Sequence, residues 1–374
     1  METSVESSTP EVIGEVAAFG LPGRTTPIVE EPLNEDAWSR LVRGVEHQRL
    51  AGFLRAAIDG GALPVTERQR DETDRLHLQA CSTALYLERW LLAAADVLEE
   101  AGIEVVVLKG TAVAHLAYLD PALRSFGDND LLFRSERFDD AVEVLTRHGY
   151  RRKTAQARPG FERRFAKGTT LSGAAGDELD LHRNLVFGTF GFRIDLDELF
   201  ASAEPFVLGG QQLLGLGAET RLLHACYHAG LGDPVPRYGS VRDIAQMLAT
   251  GTHDPAWLLH LARRWQAEAV VARGAMLCER LLGFRPHDPV ARAVAGYVPT
   301  RRERRAIDSY VGANRAFAAK AVASLPYIDG LGAKAAFLRA VVAPEEGFAE
   351  SFGGRSGFAW LRRGARSLFG GHRR

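Results

Sequence analysis

The sequence predicts an α+β protein: a small mixed β-sheet with flanking helices, followed by a helical C-terminal lobe. Three observations carry this expectation. Ile103 to Leu108 is an apolar, β-branched run of strand length that stops at a Gly110-Thr111 turn. Two later stretches, Asp128 to Phe133 and Gly176 to Leu185, alternate acidic with apolar residues at the period of a half-buried strand. From Ala218 onward, apolar residues recur at helical spacing instead.

A chain of 374 residues is beyond the size at which one core keeps growing, so two lobes are expected. The reading divides it into an acidic arm (1–34), a sheet domain with its leading helices (35–215), a helical domain (216–345) and a basic tail (346–374). A hydrophobic content of 46% is that of a globular protein, and a net charge of −1 gives no global attraction for nucleic acid, although a local basic cleft would suffice. The cysteines Cys81, Cys226 and Cys278 form no Cys-x-x-Cys pair. They argue against a disulfide framework or zinc ribbon and fit a reducing cytoplasm. No secretory start and no apolar run of about 20 residues is present, so no transmembrane segment is expected.

Taken in order, Met1 to about Asn34 is acidic, rich in Ser, Thr and Pro and poor in periodicity, and reads as a disordered arm. Asp36 to Asp59 and Glu67 to Glu100 read as helices. Trp38, Leu41, Val42 and Val45 recur on one face of the first, and Leu76, Ala80, Leu87, Leu91 and Ala95 on one face of the second. Both lead into the sheet.

Beyond the first strand, Gly110 permits a tight turn and Thr111 to Tyr118 opens a helix. The free N–H groups of that helix start favour an anion, of which a nucleotide phosphate is the usual one. Thr111 adds a hydroxyl and Lys109 a positive charge, or Lys109 closes a structural ion pair. Many strand-turn-helix units use such a glycine for geometry alone.

On the next strand, Asp128 and Asp130 project the same way. Two neighbouring carboxylates repel unless a cation lies between them, and magnesium suits oxygen ligands and phosphates. A solvated acidic turn is the plain alternative. In Gly176 to Leu185, alternation places Glu178, Asp180 and His182 on one face. If this strand pairs beside the first, Asp180 completes a triad able to hold two metal ions for in-line attack on phosphorus.

Between these strands, Ser135 to His148 has the marks of a helix capped by Ser135, and Tyr150 to Lys153 and Phe161 to Lys167 suggest strands with basic faces, Arg151, Arg152, Lys153, Arg163, Arg164 and Lys167. Arg124, four residues before Asp128, is the first choice for a phosphate ligand, because guanidinium grips phosphate bidentately. Phe187 to Gly217 reads as strand-rich. Glu219 to His228, Arg237 to Ala249, Pro255 to Trp265 and Glu268 to Leu282 read as helices, with others near Thr300 to Ser324 and Gly332 to Val342. His224 and His228 lie one turn apart. Without a His-Glu-x-x-His motif they suit base or acceptor contacts, or bonds within the bundle, better than zinc. Asp243 beside Arg242 reads as a structural pair. Ser351 to Arg374 carries six arginines and no acid among aromatic and leucine residues, a composition for weak membrane, RNA or protein contact or for a frayed, loosely docked tail.

The order Leu-Lys-Gly-Thr, Arg124, the Asp-x-Asp strand, a helix ending His148-Gly149-Tyr150, and Leu-Asp-Leu-His resembles the uncharacterised nucleotidyltransferase-like family of the DNA polymerase beta superfamily. The resemblance covers about residues 70 to 270. It implies transfer of a nucleoside monophosphate from a nucleoside triphosphate to an acceptor hydroxyl on a small molecule, peptide or RNA end. Asp128, Asp130 and Asp180 would hold two Mg2+ ions, or Mn2+, while Lys109, Gly110, Thr111 and Arg124 would hold phosphate. His182, His224 and His228 would face acceptor or base. Two departures stand out: Asn129 replaces an aliphatic residue, and the Gly110 to Asp128 interval is long. A nucleotide-binding scaffold that has lost catalysis is the alternative.

Overall fold

The computed structural model describes residues 9–24, 27–174, 176–312, 317–345 and 347–348. Helix α1, Thr9–Ala18, lies inside the stretch expected to be disordered and corrects that expectation. Val12, Val16 and Ala17 are buried in the main core. Arg242 donates to the carbonyls of Ala17 and Phe19 at 2.8 and 2.6 Å, satisfying groups left open where the helix ends. Ten residues make a marginal helix in water, so it is tertiary burial that holds this one. Residues 1–8 of the arm and nearly all of the basic tail lie outside the described residues.

The single helix expected over 36–59 is two, α2 (Glu35–Gln48) and α3 (Ala51–Asp59). They part at Arg49, whose left-handed φ of 58° ends α2 and turns its side chain toward the sheet. Gly52 lets α3 approach the turn at Pro121–Leu123, since a Cβ there would stand 2.5 Å from the Ala122 carbonyl. Helix α4, Glu67–Glu100, starts with a reciprocal Thr66–Gln69 capping box and buries Leu87, Leu91, Ala95 and Leu98.

Strand β1 (Val106–Leu108) passes into helix α5 (Lys109–Ala117), and β2 (Asn129–Leu132) follows the long connection. Next come α6 (Phe138–Arg147), β3 (Arg151–Arg152), α7 (Phe161–Phe165), β4 (Gly168–Ser172) and β5 (Glu178–His182). Helix α8 (Leu196–Ala201) and the hairpin β6 (Glu204–Leu208) and β7 (Gln211–Gly215) complete the α+β unit. Among the described residues the sheet has seven strands in the order β3-β4-β5-β2-β1-β7-β6 and is mixed, β2–β5 and β1–β7 being parallel.

Two local expectations are corrected. Phe161 to Lys167 holds a short helix rather than a strand, because Phe161 and Phe165 are one turn apart and both pack on Phe337. Ser135 opens a 3-10 turn and caps nothing. Asn129 is buried but its amide donates to the Leu87 carbonyl at 2.8 Å, which ties β2 to α4 and accounts for a polar residue there.

The helical part comprises α9 (Ala218–Leu231), α10 (Tyr238–Thr250), α11 (Pro255–Arg264), α12 (Glu268–Leu282), α13 (Pro289–Val294), α14 (Arg301–Val311), α15 (Phe317–Ser324) and α16 (Leu331–Val342). Helices α9, α10 and α12 pack mutually, and their apolar faces join β1, α1 and α3 in one core. A second core fills the other sheet face, between α4, α6 and the inward residues Leu131, Leu179 and Leu181. Among the described residues no helix is long and apolar enough to cross a membrane.

Candidate functional site

The parallel register of β2 and β5 sets Asp130 beside Asp180 and Leu132 beside His182. Because alternate residues share a face, Leu131, Leu179 and Leu181 go to the core while Asp130, Asp180 and His182 gather on the other side. One ligand atom from each of these three lies within 4.8 Å of the others. Asp130 is 1% exposed, and its Oδ1 receives both Lys109 Nζ and His182 Nε2 at 2.7 Å. Among the described residues its Oδ2, which is buried, has no hydrogen-bond partner. Asp180 accepts from Thr170 Oγ1 at 2.6 Å. Two carboxylates, an imidazole and an unpartnered buried oxygen form a donor set that could hold a metal ion.

The electrostatics are those of a paired carboxylate among cations. Burial alone would raise the Asp130 pKa, but Lys109, His182 and Lys167 together hold it well below the usual carboxylate range. Lys167 is pushed down by burial and Lys109, against the pull of Asp130, Asp180 and Asp128. Burial, with Lys109 and the other cations nearby, holds His224 and His228 well below the ordinary imidazole value. They are neutral near pH 7.

Beside this cluster opens a cavity of about 200 Å³ whose lining includes Arg49, Lys109, Gly110, Arg124, Asp128 and His228. The β1–α5 turn forms one wall. Lys109 and Gly110 have φ of 38° and 22°, a region that glycine tolerates and a lysine adopts only under constraint. A Cβ on Gly110 would sit 3.2 Å from the Asp128 carbonyl, so the glycine also allows the turn to press against the start of β2. Arg124 is held by α10: Nε and Nη2 reach the Asp243 carboxylate at 3.1 and 2.8 Å, and Tyr118 donates to the same group at 2.8 Å. Asp128 stands at the mouth, 40% exposed, 3.5 Å from Arg49.

The residues singled out from sequence therefore converge unevenly. Asp130, Asp180, His182 and Lys109 form one cluster; Gly110, Arg124, Asp128 and His228 line the adjoining cavity. Asp128 lies outside the three-residue cluster. Thr111 is buried with no partner for its hydroxyl among the described residues, and His224 is buried in α9. Glu178, on the same strand face, instead pairs with Lys153 at 2.6 Å in the open.

Lys167 was expected on an exposed basic strand face, whereas the structure turns it inward, where it feels Asp130 and Asp180; Thr170, Arg49 and the Arg124–Asp243 clamp were not singled out from sequence. Thr170 becomes visible only when β4 is registered on β5, opposite Asp180. Gly168 carried a usable signal: a Cβ there would lie 1.8 Å from the Leu181 carbonyl, so it marks a close strand approach that brings Lys167 inward. Asp243 partners Arg124 rather than Arg242.

Comparison with known proteins gives one family match. The model of a family described as "Uncharacterised nucleotidyltransferase" matches residues 34–283. Among solved structures, the chain is similar to an antigenic nucleotidyltransferase-like protein from Paracoccidioides brasiliensis, at 16% identity and a TM-score of 0.34, covering 54% of this chain and 92% of that one. No curated protein matches.

Proposed function

Because the chain belongs to the uncharacterised nucleotidyltransferase family, we propose that it moves a nucleoside monophosphate from a nucleoside triphosphate to an acceptor hydroxyl and releases pyrophosphate. The observation that carries this reading is the unpartnered Oδ2 of Asp130, buried beside Asp180 and next to a cationic cavity at a glycine turn.

Asp130 and Asp180 would hold magnesium or manganese, with Asp128 joining them from the mouth. The bound ion supplies charge neutralisation on phosphate oxygens. Lys109, Arg49 and Arg124 bind the triphosphate, and the Gly110 turn admits its oxygens close to the backbone. Asp243 fixes the plane of the Arg124 guanidinium, so that its charge faces the cavity without reorganisation. Asp180, less buried than Asp130, takes the acceptor proton as the acceptor oxygen bonds to the α-phosphorus and the bond to pyrophosphate breaks. Neutral His228 contacts acceptor or base. Most of the acceleration comes from positioning and charge stabilisation.

A binding-only protein is the second reading, favoured by the Lys109 ammonium that already neutralises Asp130. The two separate in an assay with α-labelled nucleoside triphosphates, magnesium and candidate acceptors. Labelled product with pyrophosphate release supports transfer. Magnesium-dependent binding without turnover across small-molecule, peptide and RNA acceptors supports the second reading.

A further inference from the structure

A cavity larger than the one beside Asp130 lies elsewhere in the protein. It opens between α12, α13 and α14, holds about 570 Å³ and shares no lining residue with the first. That volume lies within the roughly 300–1,000 Å³ typical of small-molecule sites. Ala272, Met276, Val294 and Ile307 give it apolar walls, and Met276 is 47% exposed at its edge.

The polar lining has a definite sign. Arg285 is neutralised by Glu279 at 2.6 Å. Arg273 donates to the Gly230 carbonyl at 2.9 Å and feels Asp308. Arg292 and Arg304 line the cavity and, among the described residues, have no carboxylate within ion-pair distance. Two uncompensated guanidinium groups beside apolar walls select a ligand with an acidic head and an apolar body. The arginine-rich end of this chain, 351–374, carries the same sign as the rim and does not complement it.

We propose that this cavity is a second ligand site, for a small amphipathic anion, held between α12, α13 and α14. The site stands whatever reaction the chain catalyses. Decanoate is the probe, titrated calorimetrically into the full chain below its micellar range, with decanol and decylammonium as neutral and cationic partners of equal length. Saturable one-to-one binding of decanoate is expected, at least tenfold tighter than either partner. Arg292→Gln with Arg304→Gln, both on the surface, should weaken it tenfold or more, and Ala272→Phe should abolish it by filling the cavity. Equal binding of decanol, decanoate binding untouched by both sets of substitutions, or no saturable binding by folded wild type would each overturn the proposal.

Discussion

Lys109 and His182 meet at one atom: both approach Oδ1 of Asp130 at 2.7 Å, from the β1–α5 turn and from β5, and leave Oδ2 of the same carboxylate without a partner among the described residues. The candidate site is thus braced on one side and open on the other. Its charge balance leads to the first expectation. Lys109→Met leaves a buried carboxylate with only an imidazole partner and should destabilise the fold by about 3–5 kcal/mol. Magnesium should restore part of that loss in the variant. Denaturant unfolding with and without magnesium measures both.

The Arg124–Asp243 pair joins the sheet connection to α10 through a buried, bidentate contact. Asp243→Ala should cost about 3–5 kcal/mol because it strands a buried guanidinium, whereas Arg124→Met with Asp243→Leu should cost less than either single change. Chemical denaturation of the three variants tests the coupling. Triphosphate affinity should fall in all three.

Gly110 combines φ 22° with a close approach to Asp128. Gly110→Ala should lower stability by about 1–2 kcal/mol through backbone strain. It should weaken triphosphate binding tenfold or more by moving the turn. Thermal unfolding and nucleotide titration separate the two effects.

The buried histidines predict a pH slope. His224 and His228 have folded pKa values well below the ordinary one, because burial and Lys109 disfavour their charged forms. In the unfolded chain they protonate near pH 6.5. The stability that this linkage gives is present above that pH and is lost as pH falls toward the folded values, by about 1.4 kcal/mol per pH unit for each histidine. Asp130 behaves differently: its folded pKa is depressed below the carboxylate range, so its contribution persists until the pH drops below about 4. Unfolding free energies between pH 7 and 5 should decline in wild type and flatten in His224→Gln with His228→Gln.

Much of the site was legible in the sequence because it rests on strand alternation. Asp130, Asp180 and His182 share a face once two strands are recognised, and the pairing of β2 with β5 then follows the expectation that the acidic strands are neighbours. What alternation could not supply was depth along the strand. Asp128 and Asp130 differ by one step of the same face, yet one is at the mouth beside Arg49 and the other at the floor. That difference is set by where β2 begins, at Asn129, which pairs with Leu179 of β5 and leaves Asp128 before the strand. Helix α1 was missed for a related reason: its short apolar stripe has no meaning until α10 and α12 are there to cover it. Phe161 and Phe165 showed helical spacing, but flanking charges gave the segment the look of an exposed strand.

The proposed function rests on the aspartates forming a magnesium-dependent triphosphate site. Calorimetric titration of the four nucleoside triphosphates, with and without magnesium, into wild type and into Asp128→Ala with Asp130→Ala tests it most directly. Magnesium-dependent binding by wild type, with preference for one base, and its loss in a folded double variant are the expected results. Equal binding by the folded variant, or binding indifferent to magnesium, would contradict the proposed function.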